Sequence, residues 1–282
     1  MKFRLYREYG ALNSNPVFDA FEHSVKLLGH TTTIGNDSDV DVIWSVLFHG
    51  RMANNKTVWD QAQQQKKPVI VLEVGGIKRG TTWKVGVNGI NRDAFFGDAG
   101  NDSRRSDLLN LKLKPWRTNG TKILLCGQHD RSLQWDMLPS MTRWVKETIE
   151  HIRHYTIRPI IFRPHPRCPV PQIEHMFKDV SRQTPRQTPG TYDDYDMIFD
   201  DVYCTVSWTS NPGIHSVLHG VPSYTSPSSL AYDVSIKSLA NLENPPLHDR
   251  HQWLNDYAWT EYTVEEIAQG LPLQRLLTQL SK

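Results

Sequence analysis

The chain is poor in cysteine, with three in 282 residues: Cys126, Cys168 and Cys204. They are odd in number and far apart, so no disulfide framework and no metal-ligand spacing is encoded, and they read as reduced thiols. There is no apolar run of about 18 residues, which with a mean hydropathy of −0.51 excludes a helical membrane span. The start, Met1-Lys2-Phe3-Arg4-Leu5-Tyr6, lacks the apolar stretch and small-residue cleavage site of a signal peptide. It reads as an immediate strand, and the expected location is the cytoplasm. Internal repeats and low-complexity blocks are absent too.

What is present is alternation. Lys2 to Tyr6 reads as a strand, and Val17 to Leu28 as a helix with apolar residues at helical spacing. Val40 to Phe48 is a second strand, Lys56 to Lys66 a polar helix, and Val69 to Leu72 a continuously apolar strand of the kind buried on both faces of a parallel sheet. From Gly86 to about Leu109 the chain is rich in Gly, Asn and Asp and reads as a long loop. A second series follows: strands at Ile123 to Cys126, Pro159 to Phe162 and Val202 to Val206, helices at Met141 to His151 and Ile173 to Val180, and a helical end over Val264 to Leu280. The fold class predicted is α/β, with two Rossmann-like halves facing a cleft. The expected domains are residues 1–113, residues 114–250, and a helical segment, 251–282, packing back on the first.

Two strand ends carry polar clusters. One is Arg163-Pro164-His165-Pro166-Arg167, the other Ser207-Trp208-Thr209-Ser210-Asn211-Pro212-Gly213, followed by a short helix closed at Gly220. A helix opening past Thr209, Ser210 and Asn211 presents backbone N–H groups suited to a phosphate, so the expected ligand bears one, such as a nucleotide-sugar. The competing readings are an ordinary helix cap at Ser210 and a merely structural strand-end histidine at His165.

Net charge is +2, yet residues 78–122 hold ten basic residues against four acidic ones. Trp83, Phe95, Phe96 and Trp116 are interleaved with them. That combination suits a phosphate backbone with stackable bases, or else a solvated loop whose aromatics pack inward. The acidic run Asp193-Asp194, Asp196 and Asp200-Asp201 reads as a solvated loop in preference to a metal site.

In order along the chain, Trp44, Gly50-Arg51, Pro68 to Arg79, Leu124-Leu125-Cys126-Gly127-Gln128, Arg163-Pro164-His165-Pro166, Thr209-Ser210 and Gly220-Val221-Pro222 resemble the capsular polysaccharide biosynthesis proteins of the GT-B-like Kdo-transferase group. The resemblance covers about two thirds of the chain. It departs from the group's pattern at Ile77-Lys78-Arg79-Gly80-Thr81, where an aromatic and a serine are usual, and at Pro212. It implies a two-domain glycosyltransferase using a nucleotide-sugar as co-substrate; no further cofactor and no metal is expected.

On that reading the catalytic candidates are Glu73, Asp130 and His165: two strand-end carboxylates, one as general base and the other as nucleophile or charge stabiliser, and a histidine beside the donor phosphate. The donor-binding candidates are Gln128, Arg163, Thr209, Ser210, Asn211 and Gly213. The acceptor-binding candidates are Lys78, Arg79, Trp83, Arg104, Arg105 and Trp116, with hydroxymethylated DNA or a capsule or lipid-linked glycan as the acceptor. An epimerase or a catalytically idle binding module on the same fold is the alternative. Oligomeric state is left open.

Overall fold

The apolar runs become strands whose successive residues face opposite sides, as the two-residue period of a β-strand requires. In this computed structural model residues 1–98, 102–191 and 194–281 are described; Asp193 lies outside them. In chain order the first elements are β1 (Lys2–Leu5), α1 (Asn15–Leu27), β2 (Thr31–Thr32), β3 (Val40–Trp44), α2 (Asn55–Gln64), β4 (Val69–Val74), β5 (Trp83–Val87) and α3 (Arg104–Leu108). Then come β6 (Lys122–Cys126), α4 (Met141–Arg153), β7 (Ile160–Arg163), β8 (Val180–Arg182), β9 (Val202–Val206), α5 (Asn211–Leu218) and β10 (Ser223–Tyr224). The chain ends with α6 (His251–Ala258), β11 (Glu261–Tyr262), α7 (Val264–Ala268) and α8 (Leu271–Leu280).

Two compact units result. Met1–Arg105, Arg131–Leu133 and Asn255–Lys282 form the first, and Ser106–Asp130 with Gln134–Leu254 the second. The first holds a six-stranded sheet in the order β11-β5-β4-β3-β1-β2. Its β1 to β4 pair in parallel, while β5 and β11 add an antiparallel edge. Val40, Val42, Trp44, Ile70 and Leu72 face a core shared with α1, α7 and α8, whereas Ile43, Val69 and Val71 face α2 through Val58, Trp59 and Ala62. Each such large aliphatic side chain, buried fully, contributes about 1.5–3 kcal/mol.

The second unit is a five-stranded, wholly parallel sheet, β10-β9-β6-β7-β8. Ile123, Leu125, Ile160 and Phe162 pack on α4 through Met141, Val145, Ile149 and Ile152; Leu124 and Cys126 face Phe199 and Val221 on the other side. Burial lifts the Cys126 thiol to about 12, the nearby Arg163 opposing, so it is inert.

Three expectations need correcting. The helix expected over Ile173 to Val180 is a single 3₁₀ turn, Glu174–Met176, followed by β8. Arg182 decides this: its guanidinium donates to the carbonyls of Val170 (2.9 Å) and Pro171 (2.7 Å) and pairs with Glu174, which ties the segment down as an edge strand. The strand expected to reach Phe48 stops at Trp44, because Ser45 adopts the left-handed φ of 65°. The long loop from Gly86 is shorter than expected, since Gly86 and Val87 belong to β5 and Arg104 to Leu108 are helical.

Candidate functional site

Counted from β6, the second sheet has the strand order 3-2-1-4-5, and its order reverses between β6 and β9. In open α/β sheets, ligands bind outside the carboxyl ends of the strands at that reversal. The segments that leave β6 and β9 there are Gly127-Gln128-His129-Asp130 and Ser207-Trp208-Thr209-Ser210. Gln128 ties them together: its Oε1 accepts from the Thr209 N–H (2.9 Å) and hydroxyl (3.1 Å), leaving its NH₂ to donate elsewhere. Gly127 packs closely on the segment after β7, a Cβ there lying 3.3 Å from the His165 backbone nitrogen, a mildly tight contact.

The start of α5 is a poorer anion site than the sequence implies. Pro212 has no N–H, and that of Gly213 donates to the Ser210 carbonyl at 3.0 Å. Gly213 is buried against Ser207, where a Cβ would come within 2.2 Å of the hydroxyl, so its part is to admit close packing. The Ser210 hydroxyl caps nothing and is enclosed without a partner, as are those of Ser207 and Ser226. Leaving a buried hydroxyl unsatisfied costs about 1–3 kcal/mol, which makes this niche a place where an acceptor-rich group gains. The donors on offer are the Ser210 hydroxyl, the Asn211 N–H and the Gln128 amide.

His165 follows β7. Its Nδ1 accepts the Arg167 N–H at 3.1 Å, so in the neutral ring the proton sits on Nε2, a donor. Its ring meets that of His129 edge-on, centroids 5.7 Å apart. Arg163 does not fill the role of a phosphate cation: its guanidinium is buried and bonded to Gln183 (3.1 Å) and to the Asp196 carboxylate (3.2 Å) and carbonyl. Burial works against ionising Asp196, but the Arg186 N–H and Arg163 together hold it below the usual aspartate range. Asp196 is thus an internal counter-ion and no member of a solvated acidic loop. Asp130 ends the β6 segment, its Oδ2 accepting from the Met141 N–H at the start of α4 (3.4 Å) and its Oδ1 lying 4.0 Å from His129 Nδ1.

In the first unit, Glu73 lies in β4 beside the end of β3. The strained Ser45 donates its hydroxyl to Glu73 Oε2 and accepts the Leu47 N–H (2.9 Å), which fixes the direction of that hydroxyl. Burial raises the Glu73 pKa, with the Ser45 bond opposing. Across the antiparallel edge Glu73, Lys84 and Glu261 stand in register, and burial lowers the Lys84 pKa against the attraction of Glu261 and Glu73. Glu261 accepts from the N–H groups of Gly76 (2.7 Å) and Ile77 (2.9 Å) and from the Thr82 hydroxyl (2.7 Å). It thereby holds the turn that carries Lys78 and Arg79. Gly75 has no room for a side chain, a Cβ lying 2.3 Å from both Glu261 Oε2 and the Thr82 carbonyl. Ser45, Lys84 and Glu261 escaped the sequence reading; the only signal was a polar residue following, or lying within, an otherwise apolar strand.

The basic, aromatic segment is only partly drawn into the protein: Lys84 and Arg105 are buried, while Arg92, Lys112 and Lys114 are exposed. Trp83 is in the core beside Trp44, and Arg105 is buried against Glu266. Trp116 donates to the His248 carbonyl (2.9 Å) beneath Arg250, and Arg117 donates to the Phe199 carbonyl. Lys78 and Arg104 are exposed, the latter bonded to Asp102, and Arg79 is half-buried. Trp83 and Arg105 are therefore structural and do not form part of the expected acceptor surface, while Trp116 is half-buried.

No protein-family model matches the chain, and neither does any curated protein. Among solved structures, the β-Kdo 2,4 transferase of Thermosulfurimonas dismutans KpsC is similar over 96% of this chain and 98% of its own, with a TM-score of 0.53 and 12% identity. The fold is GT-B-like. The β-Kdo 2,7 transferase of the same protein (97% and 99% covered, 13% identity, TM-score 0.48) is a more remote match. So is Methanocaldococcus jannaschii UDP-GlcNAc 2-epimerase in complex with UDP-GlcNAc and UDP (99% and 100%, 12%, 0.38). No helix among the described residues is long and apolar enough to cross a membrane.

Proposed function

We propose that the chain is a glycosyltransferase that moves a sugar from a nucleotide-sugar to an acceptor hydroxyl. The observation that carries this is the point where the second sheet reverses its order: Gln128 joins the β6 and β9 ends beside an unpartnered Ser210 hydroxyl at the start of α5. These are neutral donors arranged for phosphate oxygens. His165 Nε2–H adds a donor that becomes cationic on protonation.

In transfer, the bond from the sugar's anomeric carbon to the phosphate oxygen breaks and its electron pair stays on the phosphate. Ser210, Asn211, Gln128 and His165 stabilise that charge. The acceptor oxygen bonds to the anomeric carbon and gives up its proton to a carboxylate base. Glu73, in the first unit, is the candidate whose pKa burial raises and whose orientation Ser45 holds. Asp130 supplies the second carboxylate. The burial of Trp83 and Arg105 removes two groups from a DNA-binding surface and favours a glycan hydroxyl as acceptor.

The test is a panel of nucleotide-sugars, each with glycan acceptors or hydroxymethylpyrimidine DNA, scored by released nucleotide and product mass. Release with a sugar-sized mass gain on a glycan supports the reading. A gain on DNA would move the acceptor, and no response to any donor would overturn transfer.

A further inference from the structure

Cysteine spacing alone shows no metal cluster, but the second unit assembles a mixed one. One donor atom each of His129, Asp130 and Cys168 lie within 4.8 Å of one another. They lie just past the ends of two adjacent parallel strands: His129 and Asp130 come after Gly127-Gln128 at the end of β6, and Cys168 sits in the turn after β7, with Cys126 and Arg163 paired in register at the strand ends. We propose that these three residues bind a divalent transition-metal ion of the Zn²⁺ type.

Three features support a built site. Cys168 and His129 are largely buried, and the Cys168 N–H is anchored to the His165 carbonyl at 3.1 Å, so the thiol is placed by a closed turn. The Asp130 carboxylate is oriented by the Met141 N–H on Oδ2, with Oδ1 toward His129, the kind of outer support that metal-binding carboxylates use. The donor set of sulfur, nitrogen and oxygen selects among ions: a thiolate disfavours Mg²⁺ and Ca²⁺, while thiolate with imidazole and carboxylate suits Zn²⁺ or Co²⁺. Among the described residues the group does not include His165, whose Nδ1 accepts from the Arg167 N–H. Three protein ligands leave a tetrahedral ion one open position, the arrangement of catalytic and not of structural zinc. On binding, the Cys168 S–H bond breaks, sulfur keeps the electron pair for the metal, and the proton goes to solvent.

Metal binding at this site stands apart from sugar transfer and competes with one role of Asp130, since a carboxylate bound to a metal is not also a nucleophile. The test is titration of tag-free, metal-stripped full-length protein with Co²⁺ alone under a non-thiol reductant, followed by Zn²⁺ competition. The expected result is a single equivalent giving a thiolate-to-cobalt charge-transfer band, displaced by Zn²⁺. Cys168→Ser should abolish the band. Asp130→Asn should weaken binding by at least the roughly 10-fold that losing even an outer-shell partner costs. Cys204→Ser, in the core strand β9, should leave the band unchanged, and circular dichroism should show each variant folded. No saturable band, or a band that survives Cys168→Ser in folded protein, would overturn the site. Neither result depends on whether any nucleotide-sugar is turned over.

Discussion

Arg105 separates a structural use of the basic segment from a binding one. Its guanidinium, 2% exposed, makes a two-pronged pair with Glu266, with one arm at 2.8 Å, and donates to the carbonyls of Glu261 (2.5 Å) and Ala258 (3.3 Å). Trp259 and Tyr262 lie 5.4 and 4.8 Å from it. Glu266 also closes the capping box of α7 with Thr263. Arg105→Ala would strand a largely buried carboxylate and two carbonyls. Breaking a buried pair from one side costs about 3–5 kcal/mol, and because Glu266 keeps some access to water the lower end, ~3 kcal/mol, is expected. With an m-value of about 2 kcal/mol per molar urea, the first unit's unfolding midpoint should fall by about 1.5 M. Urea titration followed by tryptophan fluorescence reads this directly. A shift below about 0.5 M, together with weakened binding of DNA or another polyanion, would refute the structural assignment and restore Arg105 to a binding surface.

Further expectations concern Glu73 and its supports. Because burial raises the Glu73 pKa, activity that needs its carboxylate ionised should fall on acidification above the ordinary glutamate range, seen as the acid limb of kcat/KM. The same shift bears on stability. A group with a raised folded pKa contributes stability below its unfolded pKa and loses it as pH rises through the folded value. Glu73→Gln should therefore gain stability relative to the parent as pH rises, while losing transfer; a constant difference in melting temperature across pH would contradict this. Ser45→Ala removes the hydrogen bond that favours the ionised Glu73, so the acid limb should move further up in pH, with loss of the Leu47 N–H partner lowering the melting temperature. Gly75→Ala places a Cβ against backbone and should destabilise by more than about 1 kcal/mol, measured by thermal melting.

Much of the fold is legible because apolar strands such as Val69 to Leu72 and amphipathic helices such as Met141 to Arg153 announce themselves by period. The Gly-Gln and Thr-Ser segments were likewise visible as polar breaks after apolar strands. What was hidden depends on partners remote in sequence. Glu261 looks like one more charge until it meets the Gly76 and Ile77 N–H groups 185 and 184 residues away. Arg163 reads as a phosphate ligand until Asp196 and Gln183 claim it, and β8 forms where local pattern favours a helix because Arg182 finds its acceptors. The left-handed Ser45 has no signature in residue type, since serine is not a residue that prefers that conformation.

On the proposed function, the β6 and β9 ends hold the phosphate of a nucleotide-sugar. The most direct measurement is calorimetric titration of the protein with nucleotides and nucleotide-sugars, repeated on Ser210→Ala and Gln128→Leu. Saturable binding of at least one nucleotide-sugar is expected, weakened about tenfold by Ser210→Ala, the loss of one phosphate hydrogen bond worth about 1.4 kcal/mol. Absence of binding across the panel, or binding that both substitutions leave unchanged, would contradict the proposed function.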